Sequence, residues 1–92
     1  MDRFFWLQTH NGLRPANIFE VTSREDGMSR LANFARRARD HARVINQDGL
    51  VVGATVACGN NSCYCRTAKF DPPQPSNDCK VIQELLAPLL AK

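Results

Sequence analysis

Two runs of aromatic and β-favouring residues, Arg3 to His10 and Ala16 to Thr22, flank Asn11-Gly12, and no other stretch constrains the fold as tightly. Asn-Gly between such runs is the strongest short-range hairpin signal. A two-residue turn there sets Phe4 opposite Phe19, Phe5 opposite Ile18, and Arg3 opposite Glu20, an opposite-charge cross-strand pair. Pro15 cannot donate to a strand ladder, so that stretch is an edge or the loop is wider. Strand residues alternate, which puts Phe4, Trp6, Phe19 and Val21 on one face and Phe5, Leu7, Ala16 and Ile18 on the other. Both faces are apolar. A hairpin of this kind calls either for a helix on each side or for a partner on the second face.

Ser23 and Asp26 follow as a capping-box-like pair, with Glu25 and Asp26 well placed against the helix dipole. The pattern predicts a helix from about Arg24 to Ile45. At about 100° per residue, Met28, Leu31, Phe34, Ala35, Ala38, Ala42 and Ile45 fall within an arc of about 120°. Gly27 lies on the same side, where a missing side chain permits close approach to the sheet. Asn46-Gln47-Asp48-Gly49 ends the helix. Leu50 to Cys58 reads as a strand, Gly59-Asn60-Asn61-Ser62 as a turn, and Cys63 to Phe70 as the return. Asp71-Pro72-Pro73-Gln74-Pro75 is a stiff extended connector. Ser76, Asn77 or Asp78 caps a last helix with the apolar stripe Val81, Ile82, Leu85, Leu86 and Leu89, ended or kinked by Pro88. The expectation is an α+β fold in one domain over residues 1–92: a four-stranded antiparallel sheet with two helices, in the order β-β-α-β-β-α.

An apolar fraction of 43% and a charged fraction of 23% are those of an ordinary globular chain rather than a disordered one. No apolar run approaches the ~20 residues needed to cross a bilayer, so no membrane role is expected. Met1-Asp2-Arg3, followed by Phe4-Phe5-Trp6-Leu7, lacks the features of a signal peptide, and the chain reads as intracellular. Cys58, Cys63, Cys65 and Cys79 are open to three readings: structural thiols, a metal site, or a Cys58–Cys63 disulfide. With the turn centred on Asn60-Asn61, Cys58 opposes Cys63 and Val56 opposes Cys65, which would put three thiols on one face. The spacing matches neither a zinc finger nor a ferredoxin, so no metal and no cofactor is expected. His10 and His41 sit in no recognisable motif, and no phosphate loop or nucleophile elbow occurs. No catalytic constellation is legible, and the chain reads as non-enzymatic.

Charge carries the functional expectation. Between Met28 and Ile45 lie five arginines and a single acid, Asp40, which leaves that segment +4 in a chain of net charge +3. Arg30, Arg36, Arg37, Arg39, His41 and Arg43 all fall outside the apolar arc, with Asn33 among them. Arginine forks grip phosphate and carboxylate bidentately, which suits recognition better than mere solubility. Arg36, Arg39 and Arg43 would form one flank of the helix, and Arg30, Arg37 and His41 the other. Asp40 would spoil a purely phosphate-binding surface, which favours a mixed protein and RNA partner over bare duplex DNA. The competing classes are a small nucleic-acid-binding regulator, for which no helix-turn-helix pattern exists, and a metal-stabilised module built on the cysteine hairpin.

In size, expected fold, absence of catalytic motifs and arginine content (Arg30, then Arg36-Arg37-Ala38-Arg39 and Arg43), the chain resembles the small phage anti-CRISPR proteins that inhibit type I surveillance complexes. These inhibitors share no motif that could be carried over residue by residue. The resemblance implies a monomeric inhibitor in the host-cell cytoplasm that binds guide RNA and protein and blocks target-DNA recognition. Several such inhibitors carry acidic, DNA-mimicking surfaces, and this basic chain departs from that pattern.

Overall fold

A computed structural model describes residues 2–9, 15–35, 40–57 and 64–92. The elements are β1 (Phe4–Thr9), β2 (Pro15–Val21), α1 (Arg24–Ala35), β3 (His41–Asn46), β4 (Val51–Val56), β5 (Arg66–Gln74) and α2 (Cys79–Leu90). The strands form one antiparallel sheet in the order β2-β1-β3-β4-β5. The α+β class and the two helices agree with expectation. The strand count does not: five strands replace four, and the order is β-β-α-β-β-β-α.

The extra strand comes out of the expected long helix. α1 stops, among the described residues, at Ala35, and His41–Asn46 is the central strand. Ala42 and Val44 pack in the cluster beneath α1, while Ile45 packs in the cluster beneath α2, and all three are fully buried. A strand buried on both faces is apolar without a visible alternation. Its Ala42 and Ile45 happened to continue the helical arc of Met28, Leu31 and Ala35. Asn46 to Gly49 does break an element, but it closes the β3–β4 hairpin. Asn46 Oδ1 accepts the Asp48 and Leu50 amides at 3.0 and 2.9 Å, and Gly49 takes a left-handed φ of 81°.

The β1–β2 register lies two residues from the expected one, with Phe4 opposite Val21 and Trp6 opposite Phe19. The loop is therefore wider than two residues, as Pro15 allowed, and its own residues lie outside the described ones. An even slip keeps every side chain on its face. Arg3 still reaches Glu20 through two 2.9 Å contacts, and each partner holds the other's charged form, raising the arginine and lowering the carboxylate. The second apolar face has its own helix, since Phe5 and Leu7 are wholly buried with Ile82 and Leu86 of α2. No free sheet face remains there for a partner.

The β4–β5 register slips by an odd number. Val56 opposes Arg66, not Cys65, and the expected grouping of three thiols on one face falls partly on residues outside the described ones. Cys65 is disulfide-bonded to a partner outside the described residues, whereas Cys79 is a free, half-buried thiol. Cys58 and Cys63 themselves lie outside the described residues. β5 also runs through Pro72 and Pro73, which the sequence reading placed in a connector. An edge strand tolerates them, because its outward side needs no donors. Pro88 does not end α2, since the helix continues to Leu90. Set in the last turn, it removes only one N–H, and Ala91 N closes the end on the Ala87 carbonyl at 3.2 Å. No helix among the described residues is long and apolar enough to cross a membrane.

α1 begins as its sequence dictates. The Asp26 amide donates to Ser23 Oγ at 3.0 Å, and the Thr22 amide donates to Asp26 Oδ2 at 3.2 Å, a capping box whose return bond falls one residue before the N-cap. Gly27 then presses α1 against β3. A Cβ placed there would lie 2.8 Å from Val44 Cγ1, a stiff side chain with no room to retreat. Gly27→Ala is therefore expected to cost about 1 kcal/mol, overpacking outweighing the gain in helix propensity. Ser29→Ala, on the exposed side of the same helix, should be neutral or slightly stabilising. Urea unfolding of the two variants checks the difference in sign.

Candidate functional site

Alternation along β1 and β2 sends Trp6, Gln8 and Phe19 to the face covered by α1, at the corner where β2 is the sheet edge. From α1, Arg30, Asn33 and Phe34 come down one turn apart and complete a groove of about 420 Å³. Its floor is aromatic. Trp6 stacks on Phe19 with ring centroids 6.2 Å apart, and Phe34 meets Trp6 edge-on at 5.2 Å. Such offset and edge contacts are the favoured geometries of aromatic quadrupoles.

Arg30 closes the groove. Its Cζ lies 5.8 Å from the centroid of Phe19, and its Nε donates to the Asp26 carboxylate at 3.2 Å. The capping carboxylate thus orients the arginine one turn further along the helix. Asp26 is held below the usual carboxylate range, first by the Thr22 amide and then by Arg30. Phe19, at 37% exposure, is one of the large apolar side chains the protein leaves in solvent, and Arg30 and Asn33 are exposed beside it. An aromatic platform under a guanidinium, rimmed by an amide, can stack a planar group and hydrogen-bond its edge. From below, Trp6 Nε1 donates to Gln8 Oε1 at 3.3 Å, and Gln8 Nε2 donates to Asp40 Oδ2 at 3.1 Å. Asp40 is thereby drawn to the sheet where the chain enters β3.

The seven residues expected to form one arginine-rich helical surface are divided. Arg30 and Asn33 line the groove. Arg36, Arg37 and Arg39 lie outside the described residues. His41 and Arg43 are on β3, so they do not belong to a helix flank, and they face the α2 side of the sheet. Arg43 is 7% exposed and donates to both Asp78 carboxylate oxygens, at 2.8 and 3.0 Å, from within the fold. Guanidinium and carboxylate are a structural pair, and Arg43 is removed from the binding surface. Alternation explains the loss: with Ala42 and Val44 directed at α1, Arg43 has to point into the opposite layer.

Trp6, Phe19 and Phe34 escaped the sequence reading as binding residues. The shared face of Trp6 and Phe19 was legible, but apolar alternation reads first as core. Phe34 sat on the helix's apolar arc for the same reason. Among the described residues, no group of three or more histidine, cysteine, aspartate or glutamate side chains could hold a metal ion. No protein-family model, no curated protein and no solved structure matches this chain.

Proposed function

We propose that this chain is a non-enzymatic binding module that engages a nucleoprotein through the groove between β1, β2 and α1. The observation that carries the reading is the Arg30 guanidinium over the exposed Phe19 ring, beside Trp6 and Phe34. Unpaired bases stack on aromatic faces and arginine planes, at about 1–3 kcal/mol per base. Arg36, Arg37 and Arg39 follow Phe34 within five residues in the sequence, and arginine is a phosphate partner. The apolar rim gives the protein part of the partner a salt-insensitive contact.

The narrower form of this proposal is the one that the resemblance implies. A phage protein of this kind would occupy guide RNA and adjoining protein of a type I surveillance complex and block target-DNA recognition. Titration against the purified complex, free single-stranded RNA and free duplex DNA, each at low and moderate salt, tests both forms. Binding to the free nucleic acids is expected to be weak and lost at moderate salt, because few phosphates are neutralised. Binding to the complex is expected to survive. Failure to bind the complex rejects the narrower form. Tight, salt-resistant, sequence-selective binding to bare duplex would instead make the chain a nucleic-acid-binding regulator.

A further inference from the structure

The opposite side of the sheet is also concave, away from the groove. β3 and β4 pair at Arg43–Ala54 and then part. Beyond that point the Thr55 hydroxyl takes over from the ladder: it accepts the Ala42 amide at 2.9 Å and donates to the Ala42 carbonyl at 3.3 Å. The parted strands leave two adjoining cavities of about 370 and 360 Å³ that share His41, Arg43 and Ser76. Each is within the size range of small-molecule sites, and together they are two-ended. One end is apolar, walled by Val51, Ala54, Phe70 and Pro75. The other is polar, with Thr9, Tyr64 and Asp78 around His41 and Arg43.

The polar end has a definite hydrogen-bonding sense. Thr55 has one proton, and it is given to the Ala42 carbonyl. His41 Nδ1, 3.2 Å from the same oxygen, must therefore carry the proton of that contact and donate it. This assigns the tautomer from the network and leaves Nε2 as a lone-pair acceptor. No hydrogen bond to Nε2 occurs among the described residues. The Tyr64 ring lies against the imidazole with centroids 5.0 Å apart. Burial, then the charge of Arg43, keep the imidazole below its ordinary pKa, while the charge of Asp78 and the Thr55 backbone oppose them. Arg43 and Asp78 cancel each other's charge, so the cavity has no net charge to offer an ion.

From this geometry we infer that the cavities form one binding site for a flat, uncharged small molecule. Its apolar body lies against Phe70 and Val51, and an N–H or O–H donor at its edge is given to His41 Nε2. An ion entering here would lose hydration without gaining a countercharge, and a ligand lacking a donor would leave Nε2 desolvated and unpaired.

Indole and N-methylindole are suitable probes, since they share a flat apolar body and differ in the N–H donor. Each is titrated into the isotope-labelled full chain and followed by NMR. Indole is expected to shift His41, Thr55 and Phe70 signals saturably and to bind about 3- to 10-fold more tightly than N-methylindole. In His41→Phe that preference is expected to disappear. The comparison within the unaltered protein does not depend on the variant folding. Equal affinity for the two probes, shifts confined to Phe19 and Phe34, or no saturable shift at millimolar concentration would each overturn the inference.

Discussion

Asp78→Asn is expected to lower the unfolding free energy by about 3 kcal/mol, whereas Arg43→Met should lower it by less than about 1.5 kcal/mol. The two substitutions break the same contact, at 2.8 Å, from opposite ends. Their difference comes from what each leaves behind. Without the carboxylate, a guanidinium whose side chain is 8% exposed keeps its charge with nothing to balance it. Arg43 Nε has no partner among the described residues, and Thr9 Oγ1, 3.4 Å from Nη2, offers a neutral acceptor that cannot balance the charge. Without the guanidinium, Asp78 remains about one-third exposed and can turn to water, with Ser76 still donating to it at 2.6 Å. Urea unfolding with circular dichroism measures both values. Equal costs would mean that burial of Arg43 does not set the energetics of the pair.

The same pair fixes a pH dependence. Arg43, assisted by Ser76, holds the Asp78 carboxyl at about 2 against an ordinary 3.8. A depressed carboxyl contributes stability that is fully present above the unfolded value and is lost as pH falls through the folded one. The loss should therefore begin near pH 4 and be complete below about pH 2, and be on the order of 1 kcal/mol because Asp78 is partly solvated. His41 acts in the same direction at higher pH. Its folded value lies below 6.5, so acidification through that range protonates the unfolded chain first and favours it. Arg43→Met should remove most of the acid step of Asp78, Ser76 holding the remainder, and leave a weaker one from His41.

Much of the architecture was legible because it rests on short-range chemistry. The Ser23–Asp26 cap, the close approach at Gly27, the Arg3–Glu20 pair and the apolar stripe of α2 all follow from neighbours within a turn or a strand pair. β3 was not legible, because burial on both faces removes the alternation that identifies a strand. The arginine surface was misplaced as a consequence. Once Ala42 and Val44 are strand residues, His41 and Arg43 have to face α2. The odd slip between β4 and β5, which sets Val56 opposite Arg66 rather than Cys65, depends on the whole hairpin rather than on spacing in the sequence. The groove combines residues from β1, β2 and α1, and pairing Phe19 with Arg30 required their packing to be known.

The largest functional effect should come from removing that pair. Both side chains are exposed, and neither belongs to a buried core cluster, so Phe19→Ala with Arg30→Ala should cost little stability. Aromatic and arginine side chains at the centre of a contact are each commonly worth 2 kcal/mol or more, about 30-fold in affinity. The decisive measurement is the affinity of the double variant for the purified surveillance complex beside that of the unaltered protein, with thermal unfolding of both. The account predicts a loss of at least about 100-fold with the melting temperature nearly unchanged. A folded double variant that binds as tightly as the unaltered protein would contradict it.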